Sequence, residues 1–78
     1  MNKGISLANL GYIQEALRYF DKAIELNPNL AQAWYNKGLA LFSLGKINES
    51  LSCVNSALRI NPKYENAGKL KEKCVEQA

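Results

Sequence analysis

The chain has 78 residues, which is enough for one small domain. Apolar residues make up 47% of it and charged residues 22%, a balance typical of a folded soluble protein and not of a disordered one. The net charge of +3 comes from ten Lys and Arg against seven Asp and Glu, and this excess is too small to predict nucleic-acid binding. No apolar run approaches the ~20 residues that a membrane-spanning helix needs, and no signal peptide is recognisable.

The cysteine and histidine content limits the metal and redox chemistry of the chain. Cys53 and Cys74 are not in a Cys-x-x-Cys spacing, and there is no histidine to complete a zinc site. We therefore expect two reduced thiols that act as small apolar fillers in a cytoplasmic protein. Cys53 is expected on an outward-leaning side of its helix and Cys74 among apolar residues. A disulfide between them stays open as an alternative.

An internal repeat with a period of 34 residues runs through the chain. Shifting the sequence by one period places glycine on glycine, proline on proline and apolar residues on apolar residues. The matched pairs include Gly4 and Gly38, Gly11 and Gly45, Ile13 and Ile47, Leu17 and Leu51, Ala23 and Ala57, and Pro28 and Pro62. Agreement of several residue types at one fixed period predicts a stack of similar structural units.

Each unit is predicted to contain two helices joined by a turn. In the second unit, apolar residues recur at helical spacing over residues 31–44 and again over Ile47–Ile60. Gly45 is expected to end the first of these helices in the left-handed conformation. The second should end at Asn61-Pro62, because the residue before a proline avoids the helical region. The first unit repeats this plan at Leu10, Gly11, Ile13–Leu26 and Asn27-Pro28.

Small residues recur where the two helices of one hairpin should approach closely. A glycine inside a helix costs about 1 kcal/mol relative to alanine, so glycines at matching places indicate a steric requirement. We expect Gly38 to contact Ser50, and Gly4 to contact Ala16. The bulkier residues expected to fill the space between successive hairpins are Tyr12, Phe20, Trp34 and Val54. One further amphipathic helix is predicted from about Tyr64 to Gln77.

The period, the paired helices and the residue types at fixed positions resemble the tetratricopeptide repeat. The second unit carries the pattern at Trp34, Lys37, Gly38, Leu41, Ser50, Val54, Ala57 and Pro62, and the first at Gly4, Leu7, Ala16, Phe20, Ala23 and Pro28. Departures such as Lys37 for the usual leucine and Ser50 for alanine keep the pattern of residue sizes. The resemblance implies an all-α, right-handed solenoid of five helices. Its parts would be a late-starting first repeat over residues 1–30, a second over 31–64, and a C-terminal capping helix over 65–78.

In this family, the first helices of successive units line a concave groove that holds a peptide or helix of a partner protein. Carrying that face over to matching positions predicts these groove residues: Asn2, Ile5, Ala8 and Asn9; Gln32, Tyr35, Asn36, Leu39, Phe42 and Ser43; and Asn66, Lys69, Leu70 and Lys73. Aromatic rings would supply contact area, and asparagines would bond the main chain of a peptide. The alternative is that Tyr35 and Asn36 are ordinary filler residues of the repeat, because a groove does not name its ligand.

Other binding and catalytic functions fit the residues less well. Some family members use a carboxylate clamp for acidic chaperone tails; Asn36 matches it, but Met1, Ile5, Asn66 and Leu70 stand at its other positions. The acidic residues lie among basic ones on helix faces opposite apolar faces, as solvated surfaces do. The chain has no histidine and no glycine-rich phosphate loop. We therefore predict that it is not an enzyme and that it has no catalytic residue, cofactor or metal site. A nearly neutral inner face also argues against RNA.

The sequence therefore predicts a protein–protein interaction scaffold whose partner is a protein or peptide, and neither a nucleic acid nor a membrane. The alternative is a structural, self-associating fragment of a longer repeat array. In that case a homodimer would form through the first repeat, where the apolar side of Ile5 and Leu7 is incompletely covered.

Overall fold

A computed structural model of the chain describes residues 13–77, which form four α-helices joined by short turns. The helices are α1 (Ile13–Leu26), α2 (Ala31–Ser43), α3 (Ile47–Ile60) and α4 (Glu65–Gln77). No strand occurs within this range, and the prediction of an all-α repeat fold is confirmed. The first of the five predicted helices falls outside the described residues.

The two Asn-Pro turns use the same hydrogen bonds. The backbone N–H of Asn27 and that of Asn61 each donate to the carbonyl four residues earlier, at 2.9 Å in both turns. The side-chain Oδ1 of each asparagine then accepts a bond from the N–H two residues later, from Asn29 at 3.3 Å and from Lys63 at 3.2 Å. Asparagine suits these positions because its side chain can close a turn onto its own backbone. The 34-residue period is therefore also visible in the turn geometry.

The turn between α2 and α3 depends on Gly45, whose φ of 79° lies in the left-handed region. The N–H of Lys46 donates to the carbonyl of Leu41 at 2.9 Å, and the N–H of Gly45 donates to that of Phe42 at 3.0 Å. This pair of bonds is the Schellman motif, which satisfies carbonyls at a helix end and needs a residue that tolerates positive φ. The predicted role of Gly45 is confirmed.

Helices α2 and α3 approach each other closely at Gly38. The Oγ of Ser50 donates a hydrogen bond to the Gly38 carbonyl at 2.6 Å. A Cβ atom on Gly38 would lie 3.0 Å from Cγ2 of Val54 and 3.2 Å from the carbonyl oxygen of Ser50. The predicted contact between Gly38 and Ser50 is confirmed. Ala16 is fully buried, but its predicted partner Gly4 lies outside the described residues.

Within residues 13–77, two clusters of buried side chains hold the helices together. In one, Phe20 of α1 packs beside Ala16 and Ala40. In the other, Val54 and Ala57 of α3 pack against α4, and the half-buried Trp34 lies against this cluster. The Nε1 of Trp34 donates to the carbonyl of Pro28 at 2.8 Å, so the indole also ties the preceding turn to α2. Phe20, Val54 and Trp34 thus have the packing roles that the sequence predicts.

An ion pair joins α1 to α2. The Nζ of Lys37 lies 2.6 Å from Oδ1 of Asp21, and both side chains are partly exposed. Burial lowers the pKa of Lys37. The hydrogen bond to Asp21 and the negative charge of Asp21 together raise it by more, so the pKa is above its ordinary value of 10.5. Lys37 replaces the usual leucine and forms a polar contact between successive units.

Gly38→Ala and Gly68→Ala should change stability in opposite directions. Both glycines are inside helices, but a Cβ on Gly68 would meet no atom within 4 Å. We expect Gly68→Ala to raise the free energy of unfolding by about 0.5–1 kcal/mol through helix propensity. Gly38→Ala should lower it by about 1 kcal/mol, because the methyl group displaces Val54 and the backbone of Ser50. Urea unfolding followed by circular dichroism measures both. Equal gains in stability would show that α2 and α3 are not closely packed at Gly38.

The ion pair of Lys37 should stabilise the fold in a pH-dependent way. Its pKa is higher in the folded chain than its ordinary value of 10.5. The stabilisation is therefore fully present below pH 10.5 and is lost as the pH rises through the folded-state pKa. We expect Lys37→Gln to remove less than about 1 kcal/mol at neutral pH, because the pair is partly exposed. The difference from the wild type, measured by urea unfolding along a pH series, should shrink in strong alkali. A difference that stays constant would contradict this assignment.

Candidate functional site

The predicted groove residues of α2 share one side of that helix. Gln32, Leu39 and Ser43 are exposed, and Leu39 retains 42% of its surface accessibility although it is apolar. Tyr35 and Phe42 lie at the edge of this stripe and are half-buried. Residues three, four and seven positions apart lie on the same side of an α-helix, so the five side chains form one continuous surface.

The floor between α2 and α4 is apolar and partly aromatic. Tyr35 and Phe42 pack against the buried cluster to which α4 contributes Ala67, Leu70 and Cys74. Leu70 is only 3% exposed, so its predicted place on the groove surface is wrong and it belongs to the core. Helical spacing places the Leu70 side chain on the side of α4 that faces α2, and the side chains of α2 cover it.

Tyr64 is a site residue that the sequence analysis missed. Its ring centroid lies 5.3 Å from that of Tyr35, with the two planes tilted by 39°. Burial and the neighbouring Tyr35 raise the pKa of Tyr64 above its ordinary value. The 34-residue period places Tyr64 level with Leu30, just before a helix, and this position alone gave no sign of the ring contact.

The predicted α4 residues Asn66, Lys69 and Lys73 are all exposed. They follow one another at spacings of three and four residues, which aligns them along one side of α4. That side adjoins Leu70, whose side chain packs in the same cluster as Phe42 of α2. The structure therefore brings the α2 and α4 parts of the predicted surface next to each other. The residues predicted on the preceding helix, Asn2, Ile5, Ala8 and Asn9, lie outside the described residues.

Asn36 differs from the other polar residues of the predicted groove because it is only 9% exposed. Within residues 13–77, its Nδ2 is buried and has no hydrogen-bond partner. A buried amide N–H without an acceptor destabilises a fold by about 1–3 kcal/mol. Such groups are rare in native structures, so Asn36 is an exception among the predicted groove residues.

Both cysteines are buried between helices. Cys53 is only 6% exposed, so the expected outward-leaning place is wrong; α2 covers this side of α3. Burial raises the pKa of the Cys53 thiol although Lys37 lowers it. Cys74 is fully buried, and its Sγ donates to Oγ of Ser50 at 3.4 Å. Both are free thiols, so the disulfide alternative is not realised.

A second concavity lies beside Cys53. It is shallow and lined by Trp34, Lys37, Leu41, Glu49, Ser52 and Cys53. In the described part of the chain, no group of three or more His, Cys, Asp or Glu could hold a metal ion. None of the helices in residues 13–77 is long and apolar enough to cross a membrane.

Two family models match the chain. The model described as tetratricopeptide repeat matches residues 31–64, and the model described as TPR repeat matches residues 6–45. The second match runs over 40 positions, from 6 to 45 inclusive, which is more than half of the 78 residues. Together the two matches span residues 6–64, which include α1, α2, α3 and the Asn61-Pro62 turn.

Two curated proteins are similar to part of the chain. An uncharacterized protein of Methanocaldococcus jannaschii is 53% identical over 34 residues, which are 44% of this chain and 40% of that protein. The Photosystem I assembly protein Ycf3 of Acaryochloris marina is 51% identical over 35 residues, which are 45% of this chain and 21% of that protein. The match therefore spans less than half the length of either relative.

Both thiols should react slowly in the folded protein. Cys53 and Cys74 are buried, and burial raises the pKa of Cys53, which disfavours the reactive thiolate. We expect a chromogenic disulfide reagent to label neither residue at mildly alkaline pH until urea is added. Single Cys53→Ser and Cys74→Ser variants assign the two reactions. Rapid labelling of either thiol in the native protein would contradict its burial.

Proposed function

Because the chain belongs to the tetratricopeptide repeat family, we propose that it is a protein–protein interaction scaffold that binds a peptide segment of a partner protein. The observation that carries this proposal is the uncharged, partly apolar side of α2, bordered by α4. Leu39 is substantially exposed there, and Tyr35 and Phe42 are half-buried. Preformed surfaces of this composition gain affinity from aromatic contact area.

An extended peptide suits this surface better than a helix. The exposed amides of Gln32 and Asn66 can donate hydrogen bonds, and main-chain carbonyls of an extended peptide are free to accept them. In a helix most of those carbonyls already accept bonds from the helix itself. The proposed groove residues are those predicted from the sequence: Asn2, Ile5, Asn9, Gln32, Tyr35, Asn36, Leu39, Phe42, Asn66, Lys69 and Lys73.

The relatives and the thiols support the wider proposal. A related protein is named for assembling photosystem I, and a scaffold role fits a protein that brings others together. We propose two repeats, over residues 1–30 and 31–64, followed by a capping helix over 65–78. We further propose that the module has no catalytic activity and works in the cytoplasm, since its free buried thiols suit a reducing compartment.

A double variant of the groove tests the proposal. Peptides are selected from a random displayed library on the wild-type chain, and their dissociation constants are measured by fluorescence anisotropy. We expect Tyr35→Ala with Asn36→Ala to weaken binding about tenfold or more, which corresponds to the loss of ~1.4 kcal/mol or more at a contact residue. Circular dichroism shows whether the variant is folded.

The matched control is Ser52→Ala, an exposed position on α3 beside the shallow concavity and away from the proposed groove. It should bind the selected peptides as the wild type does. Equal affinity of the folded double variant and the wild type would reject the groove. A stable dimer in light scattering, dissociated by changes in the first repeat, would favour the self-association alternative.

A further inference from the structure

We propose that Ser50 and Cys74 position α4 as the second wall of the groove, through two buried hydrogen bonds that connect α4 to α2. This inference rests on the proposed function, because it explains how the two walls of that groove are held relative to each other. Both residues are fully buried, so a bound peptide does not touch them. They act through the helices that carry the proposed groove residues.

The two hydrogen bonds follow one another through the side chain of Ser50. The Sγ of Cys74, on α4, donates to the Oγ of Ser50 at 3.4 Å. The same Oγ, on α3, donates to the carbonyl of Gly38 on α2 at 2.6 Å. A hydroxyl has one donor and two acceptor lone pairs, so it can make both bonds at once. These bonds, called here the Ser50–Cys74 link, join the two walls of the groove through the helix behind them.

The preceding unit indicates that packing alone does not require these residue types. One period earlier, Ala16 and Ala40 stand in place of Ser50 and Cys74, and both are buried. Alanine fills that place without a polar atom, whereas a buried hydroxyl costs free energy unless it is hydrogen-bonded. Ser50 thus adds a directional contact where the chain itself shows that an apolar one is sufficient for packing.

Directional contacts hold α4 near both of its ends. Just before α4, the ring of Tyr64 contacts that of Tyr35 of α2, and Cys74 lies ten residues later, about 15 Å along a helix. Between them, Ala67 and Leu70 pack by apolar burial, which has no preferred direction. Two contacts this far apart fix the axis of α4 relative to α2. Without the Ser50–Cys74 link, α4 can pivot about the tyrosine pair.

A pivot of α4 would affect one wall of the groove more than the other. Of the proposed groove residues on α4, Lys73 lies furthest from the tyrosine pair and next to Cys74. Its counterpart one period earlier is Leu39 of α2, which is also exposed. The contribution of Lys73 to peptide binding should therefore depend on Ser50, and that of Leu39 should not.

The position of α4 is measured first without a peptide, by residual dipolar couplings of the isotopically labelled full chain. In Ser50→Ala we expect α4 to change its orientation relative to α2, while the orientation of α1 relative to α2 is kept. The variant should fold, because Ala16 occupies the equivalent place. Cys74→Ala, which keeps the bond between Ser50 and Gly38, should change the orientation of α4 in the same way. A wild-type orientation of α4 in both variants would overturn the inference.

Peptide binding is measured next, by fluorescence anisotropy with peptides selected on the wild-type chain. In the wild type, Lys73→Ala and Leu39→Ala should each weaken binding about three- to tenfold, as truncation of a contact residue does. In the Ser50→Ala background, Lys73→Ala should weaken it less than about twofold, because coupled residues are not additive. Leu39→Ala should keep its full effect there.

The matched control is Ser56→Ala, a half-buried serine on the same helix that lines a separate depression with Pro28 and Arg59. Both wild-type effects should persist in that background. The inference is wrong if Lys73→Ala has no effect in the wild type, or the same effect with and without Ser50. Loss of both effects in Ser50→Ala would show general loosening of the fold and would also overturn it. If Tyr35→Ala with Asn36→Ala leaves affinity unchanged, the proposed function fails, and the dipolar couplings alone decide whether the link positions α4.

Discussion

The contact between α2 and α3 at Gly38 is the constraint on which the rest of the structure depends. No side chain separates the helices there, and the Oγ of Ser50 reaches the Gly38 carbonyl at 2.6 Å. This approach fixes the axis of α3, and α4 then packs on the surface that α2 and α3 form together. The relative position of α2 and α4, and hence the shape of the proposed groove, follows from a hairpin that a single methyl group would disturb.

Successive units are alike in outline but joined by different chemistry. Where Ala16 and Ala40 pack as apolar neighbours, the next unit has Ser50 and Cys74 joined by a buried hydrogen bond. The ion pair of Lys37 has no equivalent one period later, since Asn55 stands where Asp21 would fall. Apolar burial is non-directional, whereas these polar contacts need defined partners, so they fix the order of the units more strictly than packing alone.

The sequence predicts the secondary structure closely because its signals are local. The bounds of α1 and α3 are those expected from helical periodicity and the Asn-Pro turns, and Gly45 ends α2 as expected. Exposure is predicted less well, because it depends on neighbouring helices. Leu70 and Cys53 are both predicted at accessible places, but α2 covers both. The contact between Tyr35 and Tyr64 joins two units and has no local signal at all.

Asn36 and Leu70 occupy the same place in consecutive units, and both are buried. Leucine at this place adds to the core, whereas asparagine leaves an unpaired N–H in the part of the chain that the structure describes. An apolar residue at Asn36 would therefore satisfy packing better than the residue present. Folds tolerate such local inconsistency mainly where a site needs it. The energetic argument therefore singles out Asn36 independently of the family pattern.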